Sequence, residues 1–164
     1  MPNERELALR MPLLHALIDE EPEKSVELRP SSKQQLRELR ESVRLDLQNL
    51  LNTRHRCRSW PKELLELERS VFDYGIPDLS GAHLTSAARR KVFLEQLGTT
   101  IRRHDARFQS VKVESLDNPD PQDRTLRFRV EAMMRVETES ETAVFDFQIE
   151  PVSRQVESFG KRSE

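Results

Sequence analysis

The sequence predicts an α+β fold, with three N-terminal helices packed on one face of a C-terminal antiparallel sheet of about three to four strands. Apolar residues recur at three- and four-residue steps between Leu36 and Leu51, as they do on the buried face of an amphipathic helix. Between Thr125 and Val136 apolar and polar residues alternate instead, which is typical of a strand buried on one face. The spacing of apolar residues changes from helical to alternating within Ile101–Val113, so the helices precede the sheet in the chain.

Ser32–Asn52 is the first predicted helix and has the clearest helical pattern. Ser32 and Gln35 have the spacing of a capping box, in which each side chain satisfies a backbone donor at the helix start. The apolar stripe expected to face the core consists of Leu36, Leu39, Val43, Leu47, Leu50 and Leu51. The charged residues expected on the solvent side are Arg37, Arg40, Glu41, Arg44 and Asp46.

Two further helices are predicted before the period changes. The second is Pro61–Tyr74, ended by Gly75 because glycine tolerates the left-handed conformation of a helix cap. Its residues available for burial are Leu64, Leu65, Leu67, Val71 and Phe72. The third helix is capped by Thr85 or Ser86 and ends at His104. Its expected inner side consists of Val92, Phe93, Leu97 and Ile101.

The C-terminal part is predicted to form an antiparallel meander. Its first strand is Phe108–Leu116, and the alternating Thr125–Val136 segment forms the second. Glu137–Glu141 is interpreted as a polar hairpin connection into a third strand at Ala143–Ile149. A short edge strand is expected within Val152–Phe159.

Composition restricts the class of protein. A chain of 164 residues fits one main domain, which we place at residues 32–160. The 27 basic and 29 acidic residues leave a net charge of -2, which indicates no polyanionic partner. The single cysteine, Cys57, excludes an internal disulfide framework and fits a reducing compartment. Because no signal peptide or apolar run of about 20 residues is present, we expect a cytoplasmic protein without direct membrane insertion.

Residues 1–31 are predicted to be a flexible segment with one short apolar helix. Leu13, Leu14 and Leu17 share a face of that helix with Ile18, and a charged, proline-containing linker follows. Two interpretations stay open, because the apolar face can pack back on its own domain or can dock in a groove of a partner. The three leucines are therefore candidate partner-binding residues.

No catalytic or cofactor motif is found: the chain lacks a phosphate-binding glycine loop and a nucleophile elbow. His55 and Cys57 could ligate a metal, but no second His or Cys pair with suitable spacing accompanies them. Asn52–Pro61 contains three arginines, a histidine and a tryptophan, which could contact nucleic acid. In a slightly acidic chain, such a short cluster is more often a salt-bridged loop. The residues alone thus predict a non-enzymatic protein-binding domain with no metal, cofactor or nucleic acid.

Two blocks of the sequence resemble one known family. They are Leu50-Leu51-Asn52-Thr53-Arg54 and Ser70-Val71-Phe72-Asp73-Tyr74-Gly75-Ile76-Pro77-Asp78-Leu79-Ser80-Gly81. With their spacing and the alternating strand around Arg127–Ala132, they look like the TssE family of the type VI secretion system. That family is similar to the small baseplate wedge protein of contractile-tailed phages, historically labelled lysozyme-like.

The family's signature is a Glu-Pro-Arg triplet at the helix-to-strand junction, which aligns here with Asp105-Ala106-Arg107. The arginine is retained, the acid is one methylene shorter, and the proline is lost, so other contacts must hold the turn. By resemblance, the residues with structural or partner-binding roles are Asn52, Arg54, Tyr74, Gly75, Pro77, Asp78, Asp105 and Arg107.

The resemblance implies a structural component of the type VI secretion baseplate wedge. It would bind TssF, TssG and other baseplate components, and would help to start assembly of the TssB–TssC contractile sheath. That start resembles strand addition, for which Val152–Phe159 is the candidate edge. The alternatives are a peptidoglycan hydrolase, which needs two dedicated carboxylates that the sequence does not single out, and a binding regulator of the anti-adaptor type.

Overall fold

The computed structural model describes residues 13, 17–18, 22–23, 31–55, 59–61, 63–77, 86–120, 123–136, 139–150, 153 and 155–159. In chain order the described elements are α1 (Ser32–Asn52), two 3₁₀ helices (Leu65–Arg69 and Val71–Asp73), α2 (Ala87–His104), β1 (Phe108–Leu116), β2 (Leu126–Val136), β3 (Glu139–Ile149) and β4 (Val156–Ser158). Helices followed by an antiparallel sheet confirm the α+β class. Among the described elements, however, two α-helices precede the sheet, and not three.

Helix α1 has the predicted bounds but a different cap. The hydroxyl of Ser31 accepts a hydrogen bond from the backbone N–H of Gln34 at 3.3 Å, so Ser31 is the N-cap. The capping box predicted at Ser32 and Gln35 is therefore wrong by one residue. The apolar stripe is confirmed, and its buried members are Leu39, Val43, Leu47, Leu50 and Leu51.

The helix predicted at Pro61–Tyr74 is wrong. Two short 3₁₀ helices replace it, separated by Ser70 in extended conformation. The Ser70 hydroxyl donates to the carbonyl of Leu67 at 2.8 Å and accepts from the N–H of Phe72 at 3.2 Å. These local bonds compete with the pairing of a continuous α-helix. The residues predicted for burial here are mostly exposed: Leu64 (51%), Leu65 (66%), Val71 (89%) and Phe72 (54%).

Helix α2 ends at His104 as predicted and follows Ser86, its N-cap residue. Phe93, Leu97 and Ile101 are buried, whereas Val92 is 53% exposed and Leu94 is buried in its place. The prediction for Val92 is therefore wrong. Leu94 lies three residues before Leu97, so it is on the core side of the helix instead.

The four described strands form one antiparallel sheet in the order β1-β2-β3-β4. Residues Phe128 and Phe147 face each other on β2 and β3, and their rings stack with centroids 5.8 Å apart. The sheet extends further than predicted at β3, which begins at Glu139, so Glu139–Glu141 belong to a strand and not to the connection. The predicted edge strand is real but short, since β4 covers only Val156–Ser158.

The two helices cover one face of this sheet, where α2 contacts β1 and α1 contacts β4. The buried residues of the helices and of alternate strand positions form one hydrophobic cluster. Gly98 allows close approach, since a Cβ there would lie 3.4 Å from the Val113 side chain on β1. The other face carries paired charges, including Arg129 and Asp146 at 2.7 Å. The layer arrangement places the C-terminus of α2 and the start of β1 beside α1, where the candidate site forms.

Candidate functional site

The turn between α2 and β1 is closed by the side chain of Asp105. The carboxylate accepts a hydrogen bond from the backbone N–H of Arg107 at 3.0 Å, two residues further along the chain. The backbone N–H of Asp105 donates to Ile101, and Phe108 donates to the carbonyl of Asp105. Such an Asx turn fixes the backbone without proline. This explains how Asp105-Ala106-Arg107 holds the turn in which the related signature has Glu-Pro-Arg.

The guanidinium of Arg107 connects this turn to α1. Its Nε lies 2.9 and 3.1 Å from the two Asp105 oxygens, and its Nη2 lies 2.6 Å from Asp105 and 2.8 Å from Asp46. Burial alone would lower the pKa of Arg107, but the hydrogen bonds and charges of Asp105 and Asp46 outweigh it and raise that pKa. Arg107 is therefore a fixed cation that joins the turn to the middle of α1.

Tyr74 lies against the same carboxylates. Its half-buried ring meets the ring of His104 edge-on, with centroids 5.5 Å apart. Burial raises the pKa of the Tyr74 phenol, and the negative charges of Asp46 and Asp105 raise it further. The phenol thus stays protonated and neutral beside two acids, where an anion would be repelled.

Asp73 organises a second group of polar residues next to Tyr74. Its nearly buried carboxylate accepts a hydrogen bond from Nη1 of Arg103 at 2.6 Å. The Nε2 atoms of His55 and His104 lie 3.8 and 3.9 Å from its two oxygens. One carboxylate therefore holds together the 3₁₀ segment, the loop after α1 and the last turn of α2.

Gly75 and Ile76 join the two sequence blocks that carry the family resemblance. Ile76 donates its N–H to Thr53 at 2.9 Å and accepts from His55 at 3.1 Å, forming a parallel β-bridge with Arg54. Gly75 has φ +120°, which side chains rarely adopt, and a Cβ there would lie only 2.7 Å from the Thr53 carbonyl oxygen. The motif glycine is needed because two backbones meet at this position.

Asn52 and Arg54 hold the end of α1. Nη1 of Arg54 donates to the carbonyl of Leu51 at 2.9 Å, so it satisfies one of the free carbonyls at the helix C-terminus. The Asn52 amide donates to the carbonyl of Val156 at 2.9 Å and accepts from its N–H at 2.8 Å. Both residues line an open, polar cavity of about 580 Å³ between the end of α1 and the β4 region.

The structure places the predicted site residues in three neighbouring groups of contacts. Gly75 meets the backbone of Arg54 after α1, Tyr74 packs on His104 at the end of α2, and Asp105 pairs with Arg107 in the α2–β1 turn. Asn52 contacts β4 instead. Pro77 follows Ile76 and is half-buried, whereas Asp78 and Leu14 lie outside the described residues. Leu13 and Leu17 are 76% and 73% exposed.

Sequence reasoning missed the partners of the predicted residues. Asp46 was assigned to solvent but pairs with Arg107, and Arg40 pairs with Glu141 of β3. Asp73 and Arg103 carried no signal of their pairing, because they are 30 residues apart. Only the fold shows which acid meets which base.

The described residues form neither a metal-binding cluster nor a membrane-spanning helix. No group of three or more His, Cys, Asp or Glu side chains in these ranges could hold a metal ion. Within the same ranges, no helix is both long and apolar enough to cross a bilayer.

Stability should fall as the pH is lowered through the titration of His104. Burial of the ring lowers its pKa below the ordinary 6.5; the Asp73 carboxylate opposes this shift, and Arg103 adds to it. The unfolded chain then binds a proton that the folded chain excludes, so unfolding becomes easier below about pH 6.5. Urea unfolding of the wild type between pH 7 and 5 should show this loss, and His104→Phe should reduce it. Equal pH dependence in both proteins, or an NMR titration of His104 at or above 6.5, would contradict it.

One known family matches the chain over most of the elements described above. The family described as baseplate wedge protein gp25 matches residues 37–139, from the first turns of α1 to the start of β3. No curated protein sequence and no solved structure gives a match. The matched range contains both sequence blocks, the Asp73 group and the Asp105–Arg107 turn, and it covers more than half of the 164 residues. The chain therefore belongs to the baseplate wedge protein gp25 family.

Proposed function

We propose that this chain is a non-enzymatic, cytoplasmic wedge component of a type VI secretion baseplate, which binds TssF and TssG and helps to start the TssB–TssC sheath. Membership of the baseplate wedge family supports a structural role in a phage-tail-like baseplate. The observation that carries the site assignment is the position of Arg107, held by Asp46 and Asp105 where α1, α2 and β1 meet. This fixed junction is the surface we assign to docking on TssF and TssG.

The same contacts argue against a hydrolase. A glycosidase needs two carboxylates in unlike environments, one acting as acid and one as base or nucleophile. Asp46 and Asp105, the acids nearest the signature arginine, both accept hydrogen bonds from Nη2 of Arg107. Their charges serve to fix that arginine, and neither is set apart as a proton donor.

Strand addition to the sheath needs an open sheet edge, and β1 offers a longer one than β4. β1 spans nine residues at one end of the strand order, whereas β4 spans three at the other. Within the described ranges, no backbone group of another element pairs along β1 on the side away from β2. The edge predicted at Val152–Phe159 is in part occupied, because Asn52 binds the backbone of Val156. We therefore assign sheath contact to β1.

Arg107→Ala should weaken co-purification of the tagged full-length chain with TssF and TssG, because the docking junction loses its fixed cation. The control is Arg129→Ala, which removes an arginine that is likewise bidentate on an aspartate but lies on the opposite sheet face. Circular dichroism should show that both variants are folded. Equal recovery of partners by Arg107→Ala and Arg129→Ala would refute the docking assignment.

Amide hydrogen exchange tests the edge assignment without any substitution. On addition of purified TssB–TssC, amides within Phe108–Leu116 should become protected, since a strand added to β1 pairs with its outward N–H groups. Amides of Val156–Ser158 should keep the exchange rates of the free chain. Protection confined to β4, or no protection in either strand, would contradict strand addition at β1.

A further inference from the structure

Asn52 makes an unusual contact with the second sheet edge. Its side-chain amide binds both backbone groups of one residue, donating to the Val156 carbonyl at 2.9 Å and accepting from the Val156 N–H at 2.8 Å. These are the two bonds that a residue of a neighbouring antiparallel strand would make. The carboxamide therefore takes the place of a peptide group in the next strand.

The backbone groups of Val156 that Asn52 binds lie on the outer edge of β4, on the side away from β3. Gln155 accepts a hydrogen bond from Glu150, and Phe159 donates to Asp146, so the odd-numbered residues of this segment face β3. Because the direction of the backbone hydrogen bonds alternates along a strand, the backbone N–H and C=O groups of Val156 and Ser158 point away from β3. Arg44 of α1 also contacts this strand, since its Nη1 donates to the Ser158 hydroxyl at 2.6 Å.

Only asparagine suits this position among similar side chains. Alanine offers no polar group, and an aspartate oxygen would face the Val156 carbonyl where the Asn52 amide now donates. Asn52 is the last residue of α1, so the helix fixes its distance from β4. The open cavity of about 580 Å³ beside it, lined by Gln155, Val156 and Glu157, leaves room for a chain to approach this edge.

We infer that Asn52 guards the β4 edge: it occupies the pairing groups of Val156 and so directs strand addition to β1. The guarding of β4 follows from the contacts of Asn52, whereas the direction to β1 rests on the proposed function. An unguarded edge strand would pair with a second copy of the chain or with a strand of another protein. Asn52 thus determines which edge of the sheet can pair with an added strand.

The test compares full-length Asn52→Ala with Asn49→Ala, the same substitution one turn earlier at an exposed position of α1. Removing the acceptor of the Val156 N–H should speed its amide exchange about tenfold. Sedimentation velocity should show stronger concentration-dependent self-association for Asn52→Ala than for the wild type or Asn49→Ala. Asn52→Asp keeps the acceptor but loses the donor to the Val156 carbonyl, so its Val156 amide should exchange at a rate between those of the wild type and Asn52→Ala.

Amide protection across β2 provides the folding control, since β2 lies in the middle of the sheet. If Asn52→Ala keeps β2 protected and associates no more strongly than the wild type, Asn52 is only a structural contact and the guarding role is overturned. Unchanged exchange at Val156 overturns it as well. If β2 loses protection, the wild type decides, because a Val156 amide that exchanges as fast as an unprotected amide in that protein overturns the proposed contact. None of these results changes the exchange test of β1 with TssB–TssC, so the two proposals fail separately.

Discussion

Replacing Gly75 by alanine is expected to destabilise the folded chain by about 3 kcal/mol, combining unfavourable backbone conformation with steric conflict. Gly75 has φ +120°, and an added Cβ would lie 2.7 Å from the oxygen of Thr53 and 2.8 Å from the nitrogen of His55. Both atoms belong to backbone that pairs with Ile76, so neither can move without breaking the β-bridge. Urea unfolding should show the loss, and the Tm should fall by roughly 10 °C.

Gly98→Ala is the control for this prediction. Gly98 lies inside α2, where alanine is favoured over glycine by about 1 kcal/mol. The added Cβ would lie 3.4 Å from Cγ2 of Val113 and 3.9 Å from the carbonyl oxygen of Val111, which is close to ordinary van der Waals contact. We expect a change within about 1 kcal/mol for this variant. If Gly75→Ala were as mild as Gly98→Ala, the close approach of the two backbones described here would be wrong.

Arg107→Ala is expected to lower the free energy of unfolding by about 2 kcal/mol, because it leaves Asp46 and Asp105 without their shared cation. The value is below that of a fully buried ion pair, since the Arg107 side chain is 27% exposed. The chain should remain folded, as the loss is smaller than the usual stability of a domain. The free energy of unfolding in urea measures the effect.

A double-mutant cycle separates the contact to α1 from the contact within the turn. Asp46→Asn removes one charge that Arg107 binds, and the cycle between these two residues should give a coupling of about 1 kcal/mol. Arg129→Ala should cost less than Arg107→Ala, because the Arg129–Asp146 pair lies on the open sheet face. A coupling near zero would mean that Asp46 does not anchor Arg107.

The parts of the fold that the sequence predicted well are those with a strict period. The apolar stripe of α1 and the alternation of β2 each bury one face, and burial repeats with the geometry of the element. The segment Pro61–Tyr74 has leucines at helical spacing as well, yet it forms two 3₁₀ helices. Its Ser70 hydroxyl binds the nearby backbone, and such local hydrogen bonds leave no trace in a hydrophobic pattern.

For the candidate site, the sequence indicated residues but not their partners. Asp105 and Arg107 were recognisable because they lie two residues apart in one turn. Asp46 is 61 residues from Arg107, and Asn52 is 104 residues from Val156. Charges and amides on a helix surface look alike until the fold places one of them against another element.

The sequence by itself determined the α+β class, the order of α1, α2 and the strands, most of the buried residues of α1 and β2, and the family resemblance. These features depend on local spacing, which the chain carries whether or not it is folded. Only the tertiary structure decided that Arg107 is held by Asp46, that Gly75 permits two backbones to meet, and that Asn52 covers the edge of β4. The physical reason is that hydrogen bonds and ion pairs act over about 3 Å, so their partners depend on packing and not on separation along the chain.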